Sequence, residues 1–302
     1  MSKKNVAHSV RERLLNLSRQ TGEDFQLLLT RYAVERFLFR LARSKHADAF
    51  ILKGAMLFAL WTGEMHRPTR DVDLLGFGDS GEERLREAFL DVCAVDGGPD
   101  GLAFDPASVV IEAIREDQEY DGQRAIIRVT LGQARIDLQV DVGFGDAVTP
   151  AAEEVQYPTL LEMESPKLRA YPRDTVVAEK LEAIVKLGLA NSRMKDYFDL
   201  LILARTFDFK GQGLANAVAA TFRRRRTEIP SKVPLGLSEA FATDDSKLKQ
   251  WNAFLKRSEL DTGDGGLRQV VNVLVEFLWP VLQAAKGNES FPRTWMAGGP
   301  WA

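Results

Sequence analysis

The chain has 302 residues, of which 45% are hydrophobic and 27% charged, with a formal net charge of −3. This is a globular composition with material for a sizeable core, and it excludes both a disordered chain and a polycation that holds nucleic acid by bulk charge. The single cysteine, Cys93, excludes an internal disulfide, and the lysines near the start have no apolar run behind them, so no signal peptide is expected.

In chain order, residues 6–45 carry Leu14, Leu17, Leu28, Val34, Phe37, Leu38 and Leu41 at helical spacing, and Thr21-Gly22 splits them into two helices. AFILKGAMLFALWTG then predicts a short strand entering a helix through Lys53-Gly54-Ala55. TRDVDLLGF predicts a strand, Glu82 to Cys93 a helix, and residues 96–106 a loop rich in Gly, Pro and Asp. SVVIEAIRE, RAIIRVTL and ARIDLQVDVGFG read as three strands of an antiparallel meander. Beyond the prolines at 150, 158, 166 and 172 the pattern turns helical, with DTVVAEKLEAIVKLGLA capped by Asp174 and SRMKDYFDLLILARTF capped by Ser192. VVNVLVEFLWPVLQAA is broken by Asn272, Glu276 and Pro280 and reads as a buried helix rather than a membrane span. A soluble, cytoplasmic α+β protein is expected: residues 1–170 form a mixed-sheet core with helices in front, and residues 171–302 a helical domain.

In the strand at 69–76, Val72 and Leu74 share one face while Thr69, Asp71 and Asp73 share the other. The strand at 134–145 repeats the pattern, with Ile136, Leu138, Val140 and Val142 against Asp137, Gln139 and Asp141. If the two strands are neighbours, their acids converge. Converging carboxylates are suited to a hard divalent cation such as Mg²⁺, which takes oxygen ligands and is commonly shared with substrate phosphates. Gly54-Ala55, at a strand-to-helix turn, lacks large side chains and would let a phosphate approach the backbone. Thr69 lies on the acid-bearing face, where its hydroxyl is a candidate for an off-switch phosphorylation.

Helical projection from Asp174 puts Glu179, Glu182 and Lys186 on a polar side, with Glu182 and Lys186 as a pair, and Lys180 in the apolar stripe. A lysine there must snorkel or meet an anion. Asp196 falls on the buried stripe of the following helix and wants a cation, for which Lys180 and Arg193 are candidates; Asp199 falls nearer the polar edge with Lys195. The segment RYAVERFLFRLARSKHADAFILK and the run from Arg223 to Arg226 are local basic patches able to pair phosphates. His8, His46 and His66 are scattered and make no zinc set, and Trp251 and Phe254 read as core.

In this order, Gly54-Ala55, TRDVDLLGF, IDLQVDVGFGD, VVAEKLEAIVKLG and SRMKDYFDLLIL resemble the AbiEii family of nucleotidyltransferase-like toxins, relatives of DNA polymerase β and of the bacterial MenT toxins. The motifs cover roughly residues 10 to 210, and AFATDDSKLKQWNAFLKRSEL is similar to the family's helical end. The resemblance implies a polymerase β-like core and a toxin that transfers NMP from an NTP to an RNA, notably a tRNA 3′ end, under control of an antitoxin. It implies that Asp71 and Asp73 are the metal pair for Mg²⁺ or Mn²⁺ and Asp141 the third acid, with Asp137 a second candidate for that place. It also makes Asp141 a candidate acceptor of the attacking hydroxyl's proton. Gly54, Ala55 and Thr69 would border the nucleotide, Lys180 would bind its phosphates, and Asp196 would be the acid of the last motif. Ala55 departs from the Gly or Ser usual after the glycine, so a hydroxyl is missing there. An aminoglycoside-type nucleotidyltransferase, a two-metal nuclease and a catalytically silent nucleotide- or partner-binding module are the competing readings.

Overall fold

The computed structural model describes residues 3–114, 122–263 and 265–302. The chain divides into two compact units. One comprises Met1–Gly145 and Glu153–Ala170, the other Asp146–Ala152 and Tyr171–Ala302. Among the described residues no helix is long and apolar enough to cross a membrane.

The first unit opens with helices α1 (Lys3–Thr21) and α2 (Phe25–Arg43). Gly22 takes a positive φ of 77° between them, and the Asp24 carboxylate accepts from the Leu27 N–H to cap α2. Then come β1 (Phe50–Lys53), α3 (Met56–Thr62), β2 (Asp71–Gly76) and α4 (Glu82–Ala94). The remaining strands are β3 (Leu102–Phe104), β4 (Val110–Ile114), β5 (Gly122–Leu131), β6 (Ala134–Phe144), β7 (Glu153–Gln156) and β8 (Lys167–Ala170). The stretch at 96–106 expected to be a loop thus contains a short strand: Leu102 to Phe104 find open backbone groups on β5. Arg115 and Glu116, the end of the SVVIEAIRE segment, lie outside the described residues.

The sheet runs β3-β5-β6-β2-β1-β8-β7, with β4 also pairing β5. The expected antiparallel meander of β4, β5 and β6 is present, whereas β2–β6 and β1–β8 are parallel. One sheet face, including Val72, Leu74, Leu138, Val140 and Val142, is buried, and α2 packs against β6 and β8. Phe89 of α4 stacks on Phe50 and meets Phe37 of α2 edge-on.

Two arginines of the expected basic, aromatic patch are internal, while Arg43 and Lys45 of the same segment stay exposed. Arg36 and Arg40 are 2% and 4% exposed, and both reach Asp100, Arg40 at 2.6 Å and Arg36 at 3.5 Å. Arg36 also donates to the carbonyls of Gly97 and Glu164. Their spacing of four places both guanidiniums on the same helix face. That face meets the loop at 97–100, so a buried acid takes the place of a nucleic-acid phosphate.

The second unit contains α5 (Arg173–Leu187), α6 (Met194–Thr206), β9 (Phe209–Lys210), α7 (Gly211–Arg224), α8 (Glu239–Ala242), α9 (Asp245–Ser258), α10 (Gly266–Gly287) and β10 (Thr294–Trp295). Helix α5 starts one residue before the expected cap. Pro172 is at the N-cap position and Asp174 sits in the first turn, where its charge favours the helix dipole. Ser192 does not cap α6 either; Arg193 holds that position, and the Asn191 side chain accepts from the Arg193 N–H. α10 contains Pro280 and buries Leu274, Leu278, Val281 and Leu282 against α6 and α7. Trp251 is fully buried and Phe254 nearly so.

Candidate active site

The parallel pairing of β2 with β6 sets Asp73 beside Asp141 and Asp71 beside Gln139. Directly paired residues of neighbouring strands present their side chains to one face. The acids of the two strands therefore converge on the face opposite the buried apolar residues. One carboxylate oxygen from each of Asp71, Asp73 and Asp141 lies within 4.8 Å of the others, and all three residues are half-buried. Among the described residues this is the one group of three or more potential metal-ligating side chains. All its donors are oxygens, the set a hard divalent ion takes.

The same row extends outward. Antiparallel pairing sets Lys53 opposite Asp73 and Arg124 opposite Asp141. Along β1-β2-β6-β5 the residues read Lys53, Asp73, Asp141, Arg124: two acids flanked by two cations. Arg124 engages Asp141 with both arms of its fork, Nε to Oδ1 and Nη2 to Oδ2, each at 2.8 Å. Gln139 Nε2 lies 3.2 Å from both oxygens of Asp141, and the Thr69 hydroxyl donates to Asp71 at 2.6 Å. Asp137 pairs with Arg128 at 3.7 Å on the exposed part of the strands and is not in the triad.

Sequence reasoning missed Lys53 and Arg124, yet a signal for Arg124 existed. β5 and β6 join through Gly132-Gln133, and Gly132 takes a φ of 61°. A two-residue hairpin fixes the register of both arms. Counting back from Leu131↔Ala134 pairs Arg124 with Asp141.

Gly54 closes the acid end of β1. It has a φ of 77°, and a Cβ there would fall 1.9 Å from Asp73 Oδ2. Glycine is thus required by both backbone conformation and the place of the carboxylate. Ala55 is buried and stands just before α3.

In the second unit Lys180 does meet anions. Its Nζ lies 2.6 Å from Asp196 and 2.8 Å from Asp199, and Arg193 adds a 2.8 Å bond to Asp196. Burial opposes ionisation of Asp196, but Lys180 and Arg193 outweigh it and hold the carboxyl below its usual range. Asp199, expected at the polar edge, is fully buried with Asp196, because the α6 face beside Lys180 is wider than the apolar stripe. Glu182 is likewise buried rather than on a solvated side. It accepts from Arg225 at 2.9 Å and from the Thr227 hydroxyl. Arg225 also holds Asp146 at 2.9 Å and Glu179 at 3.4 Å, so one member of the expected four-arginine patch is spent inside the unit.

The family described as "Nucleotidyl transferase AbiEii toxin, Type IV TA system" matches residues 36–283. The chain belongs to this family. It is a nucleotidyltransferase of the toxin class found in type IV toxin–antitoxin systems. Its fold is similar to that of MenT4, a nucleotidyltransferase toxin from Mycobacterium tuberculosis, with TM-score 0.52, 15% identity, and coverage of 96% of this chain and 100% of that one. It is also similar to JHP933 from Helicobacter pylori, with TM-score 0.50, 14% identity, and coverage of 88% and 94%. No curated protein matches the chain.

Proposed function

We propose that this family member is a divalent-metal-dependent toxin that transfers NMP from an NTP to an RNA acceptor, a tRNA 3′ end, in the cytoplasm, and that a cognate antitoxin restrains it. The observation that carries the reading is the convergence of Asp71, Asp73 and Asp141 within a chain of this family. Residues 1–170 are assigned as the nucleotidyltransferase core and residues 171–302 as the helical domain.

Asp71, Asp73 and Asp141 would hold Mg²⁺ or Mn²⁺. When bound, such an ion stabilises the negative charge that develops on the phosphates. The acceptor hydroxyl attacks the α-phosphorus, the bond to the β-phosphate breaks, and pyrophosphate leaves. Asp141 is assigned the hydroxyl's proton. Gly54 and Ala55 keep side-chain bulk away from the acid row, and Thr69 orients Asp71 through its hydroxyl. Lys180 is assigned to the nucleotide's phosphates, with Asp196 and Asp199 fixing the ammonium. Arg223, Arg224 and Arg226, exposed at the end of α7, support a polyanionic acceptor.

The test is incubation of the full chain with each labelled NTP and total tRNA in Mg²⁺. Label is expected at the RNA 3′ end with at least one nucleotide, and Asp73→Asn should lower transfer by about 10³-fold or more while the protein stays folded. Absence of transfer with all four nucleotides, or label on a small molecule alone, overturns the reading.

A further inference from the structure

Arg124 stands out among the groups around the acid row. On the same two strands, Arg128 and Asp137 make a loose exposed contact at 3.7 Å. Arg124 instead closes a two-armed pair on Asp141, whose side chain is 17% exposed. A bidentate guanidinium–carboxylate pair is among the stronger side-chain hydrogen-bonding arrangements. It also occupies both oxygens of the acid assigned as third metal ligand, and sets a full positive charge where an approaching cation would be repelled.

We propose that Arg124 is a positioning residue that keeps Asp141 in reserve and yields it only when a nucleotide triphosphate is bound. This rests on the reading of the triad as a metal site. Three features of the pair fit the role. The Arg124 side chain is 34% exposed, leaving its head group room to swing. A triphosphate offers the same planar fork several anionic oxygens, for which a guanidinium is well matched. Gln139 Nε2, 3.2 Å from both Asp141 oxygens, can hold the carboxylate's orientation as the fork departs. The consequence is coupling: without nucleotide the site holds a divalent ion with two acids rather than three, and nucleotide and ion raise each other's affinity.

The experiment is titration of the full chain with Mn²⁺, followed by the loss of the free-ion paramagnetic resonance signal, first without nucleotide. Arg124→Gln and Arg124→Lys are both expected to bind Mn²⁺ about tenfold more tightly than the unaltered protein, the net worth of about one charge-assisted hydrogen bond. The lysine variant keeps the charge but loses the fork, so it separates release of Asp141 from simple removal of repulsion. In an Asp141→Asn background the gain of the lysine variant should disappear. With an NTP analogue whose α–β bridge cannot be cleaved, the unaltered protein and Arg124→Lys should converge.

The proposal is overturned if Arg124→Lys binds Mn²⁺ no better than the unaltered protein, or if the gain survives Asp141→Asn. Asp71→Asn distinguishes the underlying reading: full Mn²⁺ binding by that variant would remove the metal site itself, whatever Arg124 does.

Discussion

The acid row of the first unit and the buried acids of the second obey different rules. In the second unit Asp196, Asp199 and Glu182 are almost completely buried, and each has a cation: Lys180 and Arg193 for Asp196, Lys180 for Asp199, Arg225 for Glu182. In the first unit Asp71, Asp73 and Asp141 are only half-buried and crowd together, with cations at the two ends of the row rather than between them. A charge removed from water must be paired, whereas a partly solvated one can stay close to another acid. The contrast separates acids paired in the interior from acids gathered on a partly solvated sheet face.

The largest effect on stability should come from breaking the buried set. Asp196→Ala removes the buried carboxylate that Lys180 and Arg193 both bind, and urea unfolding should show a loss of about 3 kcal/mol. In the unaltered protein the depressed carboxyl of Asp196 makes its contribution present above the unfolded-state value. That contribution is lost as pH falls through the lower folded-state value, so the difference between the two proteins should narrow in strong acid.

Glu35 is the intermediate case. It is 2% exposed and accepts from the Leu160 N–H at 2.7 Å, while its other oxygen has no hydrogen-bond partner. Burial raises its carboxyl from the usual 4.5 to about 7, against the lowering pull of the Leu160 N–H, Arg36 and Arg31. The folded state then binds the proton more tightly than the unfolded one, so stability falls as pH rises from about 4.5 to about 7. Glu35→Gln should flatten that slope, which is worth on the order of 3 kcal/mol at most, as measured by unfolding across that range.

The smallest effect is expected where both charges are solvated. Arg128→Ala breaks the exposed pair with Asp137 and should change stability by less than about 0.5 kcal/mol in the same unfolding assay. A larger loss would mean that exposure does not set the worth of these pairs.

Alternation along β2 and β6 was enough to put Asp71, Asp73 and Asp141 on polar faces, and the ordered motifs identified the family. The β5–β6 turn carried the register that would have located Arg124. Arg36 and Arg40 fall in a segment expected to pair phosphates, Glu182 on an expected polar side and Asp199 nearer an expected polar edge, yet all four are buried. A helical projection tells which residues share a side, but not which distant segment covers it. Asp100 covers the arginines from a loop far along the chain, and Arg225 reaches Glu182 from the end of another helix.

The sequence by itself determined the periods of strands and helices, hence which side chains share a face, and the motif order that marks the family. Only the tertiary structure decided which faces meet. β2 and β6 are joined by a parallel pairing across intervening strands, so the contact of Asp73 with Asp141 is set by sheet order and not by any local spacing. Electrostatic partnership depends on distance and burial in three dimensions, and a one-dimensional pattern contains neither.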